Sequence, residues 1–303
     1  MIHLLADVGY QSSWFDTLQA NFMRNAFIGG TLVAIASGVI GYYVVVRRDA
    51  FAAHALGHIG FPGATLAVLL GIPVTLGLAV FCVSGGLAIG ALGKRVANRE
   101  IATGTILAYA TGLGVLFASL ASENTSSITN VLFGNLLAIS AGQIRTFTLF
   151  TIGLLLALAI VARPLLFSSV DPQVAEAKGV RVRALGIVFM VLLALAITMA
   201  VQVVGTLLLF ALVVTPAATA LAITARPTAV AALGTAIGLA AVWIGLVLAV
   251  MFNLPPSFCI VTLSCAAWLV TLAMTRDGRR AGRQHTYDHS HDHHHPEPAR
   301  YLT

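Results

Sequence analysis

Apolar residues along this chain come in continuous runs of about twenty, neither alternating as in a strand nor confined to one stripe as in a soluble amphipathic helix. A helix needs about 20 mostly apolar residues to cross a hydrocarbon core. Runs of that kind fall at 25–46, 51–70, 73–93, 101–122, 146–167, 185–204, 206–224, 228–250 and 257–275. They predict nine helices, with Gly205 the only separator between the sixth and the seventh. The stretch 123–145 is more polar and predicts a loop carrying a short or re-entrant helix. Ahead of the first run, Trp14, Leu18 and Phe22 share one helical face, which predicts a short helix lying at a membrane interface with Trp14 as its anchor. Unbroken apolar runs exclude a β-barrel, whose strands alternate over about ten residues. The expected fold is therefore all-α, a polytopic transmembrane bundle of eight or nine spans. It divides into an interfacial segment 1–23, a spanning domain 24–275 and a tail 276–303.

Composition agrees. Hydrophobic residues are 58% of the 303 and charged residues 9%, where a soluble domain carries roughly a quarter charged; the mean hydropathy is +0.93. Cys82, Cys259 and Cys265 lie in apolar stretches without ligand spacing and read as small core residues. The first twenty residues do not read as a signal peptide, because Asp7 and Asp16 stand where a basic start is expected. Basic clusters at Arg47/Arg48, Lys94/Arg95/Arg99, Lys178/Arg181/Arg183, Arg226 and Arg276 to Arg283 all fall on one side if the number of crossings is odd; Arg24 and Arg145 fall opposite. The positive-inside tendency then puts the N-terminus outside and the C-terminus in the cytoplasm. Most of the basic residues behind the net charge of +6 sit in these loops, where they set topology and meet anionic lipid headgroups. No motif for nucleic-acid binding accompanies it.

Within the second run, Phe51-Ala-Ala-His54-Ala-Leu-Gly-His58 sets two histidines four residues apart. At helical spacing both imidazoles share a face. Ionisable groups in a spanning segment are rare and usually line a pathway or find a partner. Paired neutral imidazoles can also ligate a divalent metal. Two readings stand for the pair: a metal pathway, or hydrogen bonds to a neighbouring helix. Small residues such as Gly86/Gly90 and Gly234/Gly238 carry the spacing of close helix packing. Between the fifth and sixth runs, Asp171 can cap a short helix beginning at Pro172, and Gly179 can end it. That element is a plain connector or a docking element for a soluble partner.

No G-x-x-x-x-G-K-[ST] loop occurs, so ATP-driven transport would need its nucleotide site on another polypeptide. Nor does any predicted span carry an Asp or Glu of the kind a proton- or sodium-coupled carrier uses. The tail from His285 to Pro296 holds six of the nine histidines, including His289, His291, His293, His294 and His295. Its composition is that of a disordered metal-binding tract, read as a cytoplasmic metal buffer or sensor, or as a solvated tail without a role.

Taken in order along the chain, several fragments resemble the membrane permeases of ATP-binding-cassette importers for zinc, manganese and iron. They are Phe22-Met-Arg24-Asn-Ala26, Arg47-Arg48 with Phe51 to Gly63, Leu132-Phe133-Gly134, Asp171-Pro172 to Gly179, Gln202-Val-Val-Gly205, and Leu212 to Ala220 with Thr215-Pro216 inside it. The resemblance implies a permease with no catalytic residues of its own and no permanently bound cofactor, placed in the bacterial plasma or inner membrane. Its implied partners are an ATPase subunit, an extracytoplasmic metal-binding protein, a second copy of the chain as homodimer, and lipid. Asp171, Glu176 and Gly179 would belong to the element that couples to the ATPase, and positions 54 and 58 would face the metal path. The family commonly has Asp where this chain has His54, which shifts the expectation toward zinc. A secondary-active cation transporter and a permease for iron chelates are the alternatives. The first would show acidic pathway ligands; the second would need a wide cavity and no imidazole pair.

Overall fold

The computed structural model describes residues 14–92, 96–121 and 132–288. A short helix α1 (Trp14–Gln19) precedes α2 (Asn21–Val46), α3 (Ala50–Leu70), α4 (Val74–Ala91) and α5 (Val96–Leu120). After a 3₁₀ turn at Leu136–Ala138 come α6 (Ala141–Val170), the short α7 (Pro172–Ala177), α8 (Val182–Val213), α9 (Thr215–Ile223), α10 (Pro227–Phe252) and α11 (Pro256–Asp288). Eight of these are long and apolar enough to cross a membrane, and no strand occurs among the described residues.

The interfacial helix is shorter than its sequence pattern. It stops at Gln19, and Phe22 belongs to the first long helix. Helix α6 begins at Ala141, ahead of the expected 146, because Ser140 and Gln143 form a reciprocal capping box that hydropathy does not register. Helix α11 continues to Asp288, past the apolar limit at 275 where the tail was expected to begin. Arg276, Arg279, Arg280, Ala281 and Gln284 are good helix formers, so the backbone need not change where hydropathy does.

The sixth and seventh predicted spans meet in one structural unit. Helix α8 runs through Gly205, whose φ of 82° and ψ of 168° are non-helical and open to glycine alone. The apolar segment Leu208–Ile223 beyond it is shorter than a full span. Its direction follows from packing. Gly90 lies against Ile187 at the start of α8, whereas Thr75 at the start of α4 reaches Gln202 near its far end. Gly41, near the Arg47 end of α2, then meets Val213 and Ala217. The chain therefore turns at Gly205 and returns to the Arg47 end through the short segment, so eight long passes and one short one replace nine equal spans. Helix α10 runs antiparallel to α2, with Gly38 against Thr235 and Gly30 against Val242.

The core lies along α2, α3 and α8. In their apolar windows 67%, 67% and 61% of residues are buried, against 17–22% in α5, α6 and α11, which form the periphery. Where helix backbones nearly touch, glycine is required. A methyl on Gly63 would overlap the Gly77 carbonyl, and one on Gly77 would overlap Gly63. The expected small-residue contacts appear as well: Gly86 and Gly90 face Met190 and Ile187, and Gly234 faces Ala217.

Candidate functional site

Helix α3 presents Phe51, His54 and His58 along one face, at the spacing that places them one above another. Phe51 is exposed, both histidines are half-buried, and the same face is buried at Phe61 and Pro62, where Gly114 of α5 packs over them. The face is thus open toward the Arg47 end and closed deeper in the bundle. The two imidazoles lie edge to face with centroids 4.8 Å apart. Two donors on one face can share an ion, but no group of three or more His, Cys, Asp or Glu stands ready to hold one among the described residues. Cys82 faces the other way: its thiol lies 3.4 Å from the Leu56 carbonyl and is fully buried.

Asp49, the acid nearest the pair in sequence, is committed elsewhere. It is 4% exposed, and its carboxylate accepts from Arg47 Nε at 3.2 Å and Arg99 Nη1 at 2.9 Å. Arg47 also donates from Nη1 to Ser169 Oγ at 3.1 Å and stacks its guanidinium 4.8 Å above the Phe189 ring. Burial lowers the Arg47 pKa and the neighbouring Asp49 charge opposes that shift. This cluster ties together residues more than a hundred positions apart. The one signal for it in the sequence is an acid directly following a double arginine at a helix boundary.

At the opposite end of the bundle, Gln202 is a hub. Its Oε1 accepts from Thr75 Oγ1 at 2.8 Å and Gln143 Nε2 at 3.3 Å, and its Nε2 donates to the Thr198 carbonyl at 2.9 Å. The Asn135 amide donates to the Gln202 carbonyl at 3.3 Å, Asn25 donates to Ile139 O at 3.2 Å, and Ser257 to Phe133 O at 3.0 Å. Gly134 and Gly205, both at positive φ, approach so closely that a side chain on either would overlap the other's backbone. Two motif fragments distant in the chain, 132–134 and 202–205, thus form one contact.

The short helix α7 is built as its sequence indicates. Asp171 Oδ1 accepts from the amides of Gln173 at 3.1 Å and Val174 at 3.0 Å, Pro172 takes the first turn, and Gly179 ends it at φ 80°. Glu176 is exposed on it. A cavity of about 280 Å³ separates α7 from the arginine cluster, lined by Pro172 and Glu176 on one side and by Arg47, Arg99 and Arg183 on the other. His289, His291, His293, His294 and His295 lie outside the described residues.

Residues 19–275 match the ABC 3 transport family. The chain belongs to that family. Among its relatives, the manganese transport system membrane protein MntC of Listeria innocua is 33% identical over 239 residues, covering 78% of this chain and 85% of that one. A probable iron transport system membrane protein of Haemophilus influenzae is 28% identical over 267 residues, 86% and 96% of the two chains. Among solved structures, PsaBC from Streptococcus pneumoniae in complex with Fab superposes with a TM-score of 0.77 at 28% identity, covering 85% of this chain and 94% of that one. The resemblance read from the motif fragments is borne out, and so is a multi-pass protein of the cell membrane. Within this ABC 3 chain the fragments that carried the resemblance sort to the two ends of the bundle. The Arg47/Arg48 and Asp171–Gly179 fragments share the basic end, while Leu132–Gly134 and Gln202–Gly205 meet at the other.

Proposed function

We propose that this chain is the membrane-spanning permease of an ATP-binding-cassette importer for a divalent transition-metal ion, with His54 and His58 on the ion's path. The observation that carries the reading is the imidazole pair, 4.8 Å between ring centroids, on a half-buried face of a core helix. An imidazole pair in a spanning helix is costly unless it has a use. Two protein donors leave the rest of the coordination shell to water or to a second copy of the chain, which keeps the ion exchangeable, as conduction requires.

The relatives named for manganese and iron support a metal cargo, manganese first. Zinc is the second reading. The observation favouring it is the donor set, since imidazole suits zinc whereas manganese prefers oxygen ligands. ATP is hydrolysed on a separate ATPase subunit, in keeping with the absence of a phosphate-binding loop from the sequence. That subunit docks at the basic end on α7, where Asp171, Glu176 and Gly179 act mechanically. An extracytoplasmic binding protein delivers the ion at the Gln202 end, and the working unit is a homodimer in lipid, its basic end cytoplasmic. The histidine tail captures or senses arriving metal.

The test is ATP-dependent uptake of manganese and zinc into proteoliposomes carrying the chain with its ATPase, in wild type and in His58→Ala. Uptake that disappears with His58 is the expected result. Uptake that survives the substitution returns His58 to a packing role and refutes the assignment of the path.

A further inference from the structure

The arginine cluster at the basic end joins two elements that the proposed function uses separately. Ser169 sits in the last turn of α6, two residues before Asp171, the cap of α7. Arg47 Nη1 donates to its hydroxyl at 3.1 Å, and Arg47 Nε donates to Asp49 at 3.2 Å. Asp49 is the residue from which α3 springs, and His54 and His58 stand in the next two turns. Instead of capping its own helix, the Asp49 carboxylate makes no side-chain hydrogen bond to the α3 amides and spends both oxygens on Arg47 and Arg99.

The turn between α2 and α3 is also held in tension. The Asp49 amide donates to Val44 O at 2.9 Å and the Arg48 amide to Val45 O at 3.1 Å, the paired bonds of a Schellman motif. The left-handed position of that motif is usually glycine, yet here it is Arg48, at φ 58°. An L-residue there costs about 1–2 kcal/mol, and such strain persists only where the surroundings over-determine it. Arg47 supplies the surroundings: its side chain is 2% exposed, stacked on Phe189 and bound on both sides. The cavity of about 280 Å³ between this cluster and α7 leaves α7 room to shift while Ser169 stays tethered.

We infer that Arg47 is a positioning residue, a two-armed tie that carries displacement of the α7 region into the N-terminus of the histidine-bearing helix α3. This inference rests on the proposed function for its purpose, but the linkage itself is a property of the chain. Pulling on Ser169 moves Arg47; Arg47 carries Asp49; and Asp49 sets where α3 begins. The Asp49 arm is a buried ion pair, which loses heavily when one partner is removed; the Ser169 arm is a single hydrogen bond from a charged donor.

The experiment is hydrogen exchange on the purified full-length chain, followed by transport with its ATPase. Ser169→Ala removes one arm without touching α3 or either ion pair. It is expected to speed exchange of amides 53–56, the first bonded amides of α3, by about tenfold, the worth of a hydrogen bond to a charged group. Asp49→Asn is expected to speed exchange at 173–178 as well as at 53–56. Effects confined to the element that carries each substitution overturn the tie. Should Asp49→Asn not fold, Ser169→Ala carries the test alone, since it keeps Asp49 paired. In proteoliposomes, Ser169→Ala is expected to retain ATP hydrolysis while moving fewer manganese ions per ATP. A merely structural role would lower both together, and that result also counts against the tie. A wild-type complex that hydrolyses ATP but moves neither manganese nor zinc overturns the proposed function, and the exchange result then decides the tie independently.

Discussion

Replacing Gly205 with alanine is the sharpest test of the architecture, because two independent costs fall on one methyl group. The backbone at φ 82° and ψ 168° is in a region essentially reserved for glycine, and holding an L-residue there costs about 1–3 kcal/mol. The new methyl would also meet the Leu132 carbonyl, the Phe133 carbonyl carbon and the Gly134 amide, which are all backbone. A flexible side chain could turn aside, but backbone atoms cannot, and overpacking of that kind costs about 1–3 kcal/mol more. The sum is about 2–6 kcal/mol, a large share of the roughly 5–15 kcal/mol that a folded domain has to lose. Gly104→Ala is the control. Gly104 lies inside α5 with nothing within 4 Å of an added methyl, so alanine there should stabilise by about 0.5–1 kcal/mol. Thermal unfolding of both variants in detergent should therefore move in opposite directions from wild type. Equal midpoints for the two would refute the interlocked Gly134–Gly205 contact and the turn built on it.

Other expectations follow from the same geometry. Asp49→Asn strands two guanidinium groups, of which Arg47 is 2% and Arg99 16% exposed, and should cost about 3–5 kcal/mol in a denaturation series. Asp171→Ala removes the acceptor for two amides of α7 and should cost about 1 kcal/mol, read as faster exchange at Gln173 and Val174 with global stability little changed. His54→Asp supplies an oxygen donor in place of an imidazole and should raise manganese uptake relative to zinc; an unchanged ratio in a competition assay would remove His54 from the selectivity argument. Arg48→Gly relieves an exposed, left-handed arginine and should stabilise the chain by about 1 kcal/mol, read as a higher thermal unfolding midpoint in detergent.

Much of this was legible before any coordinates. Eight of the nine apolar runs became long helices, and the run 206–224 is divided between the end of α8 and α9, because burying or lipid-facing twenty apolar residues admits few alternatives to helix. Asp171, Pro172 and Gly179 announced α7 because capping is local chemistry. The start of α6 was equally local, in Ser140 and Gln143, and a reading by hydropathy passed over it. Gly205 was visible as a separator but not as a turn that shortens the seventh pass. The reason is that its partner, Gly134, stands in the more polar stretch 123–145, whose hydropathy carries no sign of which helix it will meet. The local pair of Arg47 with Asp49 had its signal in the acid that follows the double arginine, but the pairing of Arg99 with Asp49, and of Arg47 with Ser169, was unreadable: single charges carry no record of which distant helix will supply their partner. His54 and His58 were conspicuous because charge-capable groups are rare at that depth. What else approaches them depends on helix rotation, which no pattern along one chain encodes.

The contact between Gly63 and Gly77 constrains how the protein can be watched in action. With carbonyl against α-carbon on both sides, α3 and α4 cannot slide or roll past one another without backbone overlap, so any rearrangement has to carry them as a pair. A reporter group on α4 would then follow the histidine helix without being attached to it. Ser84 is exposed on α4, and its hydroxyl bonds only back to Phe81 within the same helix. A cysteine placed there for a fluorophore or spin label, with the exposed Cys265 replaced by serine, leaves the imidazole face untouched, and it would register the stroke of the neighbouring helix.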